Sequence, residues 1–176
     1  MSNLLVCSAL GPHSQEVVPE FARLATECQC TIIDMRVSVL GRDIVLGILL
    51  TGHWNALAKF EMQSATLANR LELVFNTRRT QTPQLPDAAL PYSVQIFSSD
   101  NVNLISNVTS FFVQQGVAIQ ELFANTYQAH QTGGTVSVLN LAIAIPASIH
   151  LNALRDQFQM LCDECNLDGI MEPIKS

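Results

Sequence analysis

The chain has 176 residues, 48% of them apolar and 14% charged, with a formal net charge of −6. That balance argues against global disorder, and nine Lys/Arg without a basic stripe argue against direct grip on nucleic-acid phosphates. Five cysteines, no secretory leader and no apolar run near the ~20 residues of a membrane span point to a reduced cytoplasmic setting.

Leu4–Ala9 reads as a short buried strand, and Gly11, Pro12, His13 and Ser14 as turn chemistry. A helix is predicted to begin near Ser14–Glu16, with Pro19 in its first turn, where a missing N–H has no intrahelical partner anyway. Ile32–Leu40 and Ile44–Leu50 are β-branched runs around Gly41, Arg42 and Asp43, the pattern of a hairpin. A second helix starts around Trp54 and Asn55, carrying Leu57 and Phe60 inward, and Leu71–Thr77 supplies a fourth strand. Pro83, Pro86 and Pro91 then mark a semi-rigid linker. Beyond it the order repeats: strand Tyr92–Phe97, helix Leu104–Gln115, strand Val117–Gln128, a turn at Gln131–Gly134 and strand Val136–Ile145. A helix with Leu151, Leu154, Phe158, Leu161 and Cys165 on one stripe follows, then a short strand Ile170–Ile174, whose Pro173 suits a sheet edge.

The repetition extends to single residues. Val17, Val18, Phe21, Leu24 and Ala25 recur 87 positions on as Leu104, Ile105, Val108, Phe111 and Phe112, each set covering one helical face. The same offset lays Cys30–Asp34 over Val117–Glu121, so each helix is followed by a strand with an acid at the same point. Two copies of β-α-β-β-α-β are therefore expected, an α+β chain of two ferredoxin-like domains with antiparallel sheets and helices on one face. The first domain covers 1–77, the linker 78–91 and the second domain 92–176. The first copy has five Lys/Arg against seven Asp/Glu, and the stretch 91–176 has two against seven. The helix-free sheet faces are expected to meet another sheet, helix or subunit, within the chain or in a homo-oligomer.

Cys28–Asp43, with Asp34, Arg36, Leu40 and Gly41, resembles the second strand and following turn of the glycine cleavage system transcriptional repressor family, whose members are tandem ACT-domain regulators. Gly52, His53, Trp54, Asn55 and Ala56 resemble that family's opening of the second helix, and Arg79 and Thr80 its exit from the first copy. The resemblance implies a small cytoplasmic regulator with no cofactor and no DNA-binding domain. It would hold a partner transcriptional activator, with glycine or a related amino acid as a possible signal.

ACT domains that bind amino acids usually place Asp-x-x-Gly after the first strand and an Asn, often of a neighbouring copy, at the start of the second. By that correspondence the ligand-binding candidates are Gly11, Pro12, His13, Ser14, Glu16 and Thr31, with Asp100, Asn101 and Asn103 in the second copy. Glu16 sets a negative charge where a ligand carboxylate would dock, which disfavours binding in the usual manner.

Other constellations have plainer readings. Cys162 and Cys165 have zinc spacing but fall within a helix, so core packing accounts for the cysteines and no metal site is expected. His13, His53, His130 and His150 stand apart, on loops or helix starts. Asp34 and Glu121 could grip a partner's basic group, or simply pair with a nearby Arg. Trp54 could anchor an interface, or cover the core beside its helix. No G-x-S-x-G, P-loop or G-x-G-x-x-G is present, so no enzyme is expected. The reading is a regulator acting by protein contact. The alternative is an amino-acid-sensing ACT module with an altered pocket.

Overall fold

A computed structural model describes residues 3–82, 89–99, 102–128 and 134–174. The chain divides into two compact units, Met1–Gln84 and Leu85–Ser176. The first contains β1 (Leu4–Pro12), α1 (Val17–Glu27), β2 (Thr31–Leu40), β3 (Asp43–Thr51), α2 (Trp54–Arg70) and β4 (Val74–Thr80). The second contains β5 (Leu90–Ser98), α3 (Leu104–Gln114), β6 (Ala118–Gln128), β7 (Thr135–Ile145), α4 (Leu151–Glu164) and β8 (Asp168–Pro173). Each sheet is antiparallel, in the order β2-β3-β1-β4 and β6-β7-β5-β8. These are the two ferredoxin-like copies that the periodicity predicts.

Each core lies between a sheet and its helix pair. In the first unit Leu5, Leu50, Phe21, Leu57 and Phe60 are fully buried, and Phe75 stacks on Phe21 at 5.4 Å between ring centroids. In the second, Phe112 sits against Phe111 and Phe158, over Ile96 and Leu139. Pro19 falls in the first turn of α1, as its missing donor requires. The β2–β3 hairpin closes through Gly41 and Arg42, with Gly41 at φ +66°, the first central position where tight hairpin turns favour glycine.

Among the described residues the helices α1 to α4 all stop in the same way. A residue in left-handed backbone (Gln29, Glu72, Gly116 or Asn166) follows the last turn, and the next N–H donates to the carbonyl five residues back at 2.8–2.9 Å. The residues making those bonds, Cys30, Leu73, Val117 and Leu167, are apolar and turn into the core. This explains one departure from expectation. Leu71 and Leu73 read as the start of a strand, but they close α2, and β4 begins only at Val74.

Three further differences have local causes. Gly11 and Pro12 are strand, paired with Ile44 and Asp43, and the turn begins at His13, whose N–H donates to the Arg42 carbonyl at 3.0 Å. The buried stripe of α4 runs Leu154, Phe158, Cys162, whereas Cys165 lies past the last turn, half-buried. The turn expected at Gln131–Gly134 lies mostly outside the described residues. Pro173 does end an edge strand, for β8 pairs only with β5.

Candidate functional site

The repeated acids owe their direction to a repeated irregularity. Thr31 and Ile32 pair with Thr51 and Leu50, but Asp34 pairs with Leu49, because a β-bulge intervenes. In the second unit the shift falls between Ile119 and Glu121, again 87 positions on. Uninterrupted pairing would set Asp34 opposite Ile48 and Glu121 opposite Leu141, both core residues. One extra residue turns both acids onto the helix-free face. There Asp34 accepts hydrogen bonds from Arg36 Nε at 2.9 and 3.1 Å, which hold its carboxyl below the usual carboxylate range.

That face of the first unit carries Val6, Leu10 and Val74, exposed by 38%, 49% and 67%, between Asp34 and Arg36 on one side and Arg78 on the other. The corresponding face of the second unit carries Phe123, Tyr127 and Ile170, each half exposed, with Gln95 donating to Asn140 at 3.0 Å among them. Its charged groups are Glu121, Asp168 and Glu172, with no Lys or Arg among the described residues. Aromatic side chains on a βαββαβ sheet can stack on bases, but this acidic border repels phosphates.

The predicted ligand residues do not converge within one copy. Because β1 and β2 both run antiparallel to β3, their starts share one end of the sheet. Thr31 therefore stands in a row with Thr51, Leu4 and Thr80, while Gly11, Pro12, His13, Ser14 and Glu16 lie at the other end. Seven strand positions, about 23 Å at ~3.3 Å per residue, separate the two groups. In the loop, Glu16 is exposed, makes no side-chain cap, and its N–H donates to Ser14 Oγ at 3.3 Å. Gly11 is closed in from above: a Cβ there would stand 2.7 Å from the Glu72 carbonyl oxygen. In the second copy Asn103 sits at φ +67° as the N-cap of α3, and Asp100 and Asn101 lie outside the described residues. A cleft of about 310 Å³ lies at this end, lined by Ser98, Ser99, Val136, Asn166 and Asp168.

At the opposite end of the first unit, where β1 and α2 begin and β4 ends, lies a cleft of about 550 Å³ lined by Asn3, Leu4, Trp54, Arg79 and Thr80. Trp54 is 65% exposed and so does not cover the core beside its helix. Arg79 donates to the Glu61 carboxylate through Nε and Nη2, at 3.2 and 2.6 Å. Sequence reasoning did not offer Arg79 as a site residue. The only signal was its place among the segments that carry the family resemblance.

Cys7, Cys28, Cys30 and Cys162 are buried, and no group of three His, Cys, Asp or Glu able to hold a metal ion occurs among the described residues. Burial pushes the Cys7 thiol up to about 12 and that of Cys162 to about 11. The unfolded chain thus gives up these protons from about pH 9, before the folded state does. Their contribution to stability is complete below that pH and declines as pH rises toward 12. Thiol titration of the native protein at pH 8 should count Cys165 first, with Cys7 and Cys162 reacting only on unfolding. Prompt reaction of all five would contradict the burial.

The fold is of a definite class, two ferredoxin-like units of ACT type in tandem. A family model described as ACT domain matches residues 3–77, the first copy. Over nearly its whole length the chain is similar to the glycine cleavage system transcriptional repressors of Escherichia coli (strain K12) and Shigella flexneri. It is 28% identical to each over 165 residues, covering 94% of this chain and 87% of the relative. Two crystal structures share the whole fold. One, of a proposed glycine cleavage system transcriptional repressor, has a TM-score of 0.75 at 24% identity and covers 100% of this chain and 99% of its own. The other, of an unknown protein from Galdieria sulphuraria, has a TM-score of 0.80 at 19% identity and covers 99% and 100%.

Proposed function

We propose that this chain is a cytoplasmic regulator of glycine-cleavage genes that acts by contact with a transcriptional activator, binding no DNA and catalysing no reaction. The observation that carries the reading is its similarity, along 94% of its length, to proteins named as transcriptional repressors. The charge supports it independently, because a repressor of net charge −6 with an acidic sheet face suits protein contact better than phosphate contact. Among the described residues no helix is long and apolar enough to cross a membrane. The alternative, an amino-acid-sensing module with an altered pocket, draws on the cleft beside Ser98 and Asp168.

A mobility-shift titration tests the DNA half of the proposal. The purified chain should leave duplex DNA unretarded at moderate salt and micromolar protein. A salt-sensitive shift by the chain alone would overturn it.

A further inference from the structure

We infer that the cleft lined by Trp54 and Arg79 binds a small molecule that carries a carboxylate beside a flat apolar group. The inference does not depend on contact with an activator. At about 550 Å³ the cleft has the size of small-molecule sites. Its wall offers an indole 65% exposed, an apolar surface that a ring would cover with favourable stacking. Arg79 supplies the charge. Its bidentate bond to Glu61 fixes the guanidinium plane through Nε and Nη2, and the N–H groups of Nη1 are left for another acceptor.

No carboxylate stands among the described residues lining the cleft, and the first turn of α2 beside it holds no acid. The carboxylate that a ligand anion would meet beside Arg79 is that of Glu61, which is already bonded to the guanidinium. The Asn3 amide and the Thr80 hydroxyl add hydrogen-bonding groups at the rim. Trp54 and Arg79-Thr80 are well separated in sequence and meet at this cleft.

Trp54 is the only tryptophan in the chain, so intrinsic emission reports the cleft directly. The full chain is titrated with phenylacetate, with its neutral counterpart phenylacetamide, and with acetate, which lacks the ring. Phenylacetate should shift the emission saturably to shorter wavelength, with the amide and acetate at least about tenfold weaker. Arg79→Gln should weaken phenylacetate by about tenfold or more, while Arg23→Gln, which removes an exposed arginine of α1 outside the cleft, should stay within about threefold of wild type. Thermal melts of both variants establish that they are folded. No saturable response to phenylacetate up to about 10 mM, equal binding of acid and amide, or undiminished binding by folded Arg79→Gln would each overturn the inference. Because the mobility-shift titration of the preceding proposal uses neither ligand nor variant, the two can fail separately.

Discussion

Phe112→Ala is expected to lower the stability of the second unit by about 3–5 kcal/mol, the range for removing a fully buried aromatic ring. Phe112 has no exposed surface, and its ring centroid lies 5.1 Å from that of Phe111 and 5.8 Å from that of Phe158. The contact joins α3 to α4 over Ile96 and Leu139, so the loss leaves a cavity bounded by both helices and the sheet. Two probes separate the units. Circular dichroism reports both, whereas Trp54 emission reports the first alone, since that unit holds the only tryptophan. In denaturant the variant should show an early loss of ellipticity. A loss of less than about 1 kcal/mol would contradict the packing described.

Gly11→Ala is expected to destabilise the first unit by about 1–3 kcal/mol, the usual cost of forcing atoms into a filled site. The added carbon would stand 2.7 Å from the Glu72 carbonyl oxygen, 2.9 Å from Leu73 Cδ2 and 3.1 Å from Leu73 Cα. Two of these atoms are backbone. They belong to the left-handed cap that ends α2, whose Leu73 N–H is held to Ala68 at 2.8 Å, so neither can move cheaply. Glu16→Gly, at an exposed position without a side-chain cap, should change stability by no more than about 0.5 kcal/mol. Trp54 emission in denaturant measures both variants, and a Gly11→Ala chain as stable as wild type would contradict the first expectation.

Much of this architecture is legible before any coordinates. The face Val17, Phe21, Leu24 and its echo at Leu104, Val108 and Phe112 require a helix in each copy, because only a 3.6-residue period brings those positions together. The hairpin at Gly41 is legible for a similarly local reason. What escapes is set by tertiary context. Leu71 and Leu73 are apolar for the sake of a helix cap, which a strand propensity imitates. Cys162 and Cys165 differ by three positions on one helix, and only the point where α4 ends decides which is buried. The outward turn of Asp34 and Glu121 depends on a bulge that leaves no signature beyond the repeat itself.

Site geometry is less legible than the fold. Gly11–Glu16 and Thr31 occupy opposite ends of one sheet, which the antiparallel order makes unavoidable once β3 stands between β2 and β1, so they do not meet within one copy. The cleft at Trp54 is invisible for the same reason. It exists only because the first turn of α2 and the end of β4 share that edge of the unit.

The central claim, repression through protein contact, is tested most directly by mobility shift with a glycine-cleavage transcriptional activator on its own operator duplex. The account predicts that this chain alone leaves the duplex unshifted, and that adding it to the activator–DNA complex produces a further change in mobility that requires the activator. Retardation of the duplex by the chain alone, or an activator–DNA band indifferent to excess chain, would contradict it.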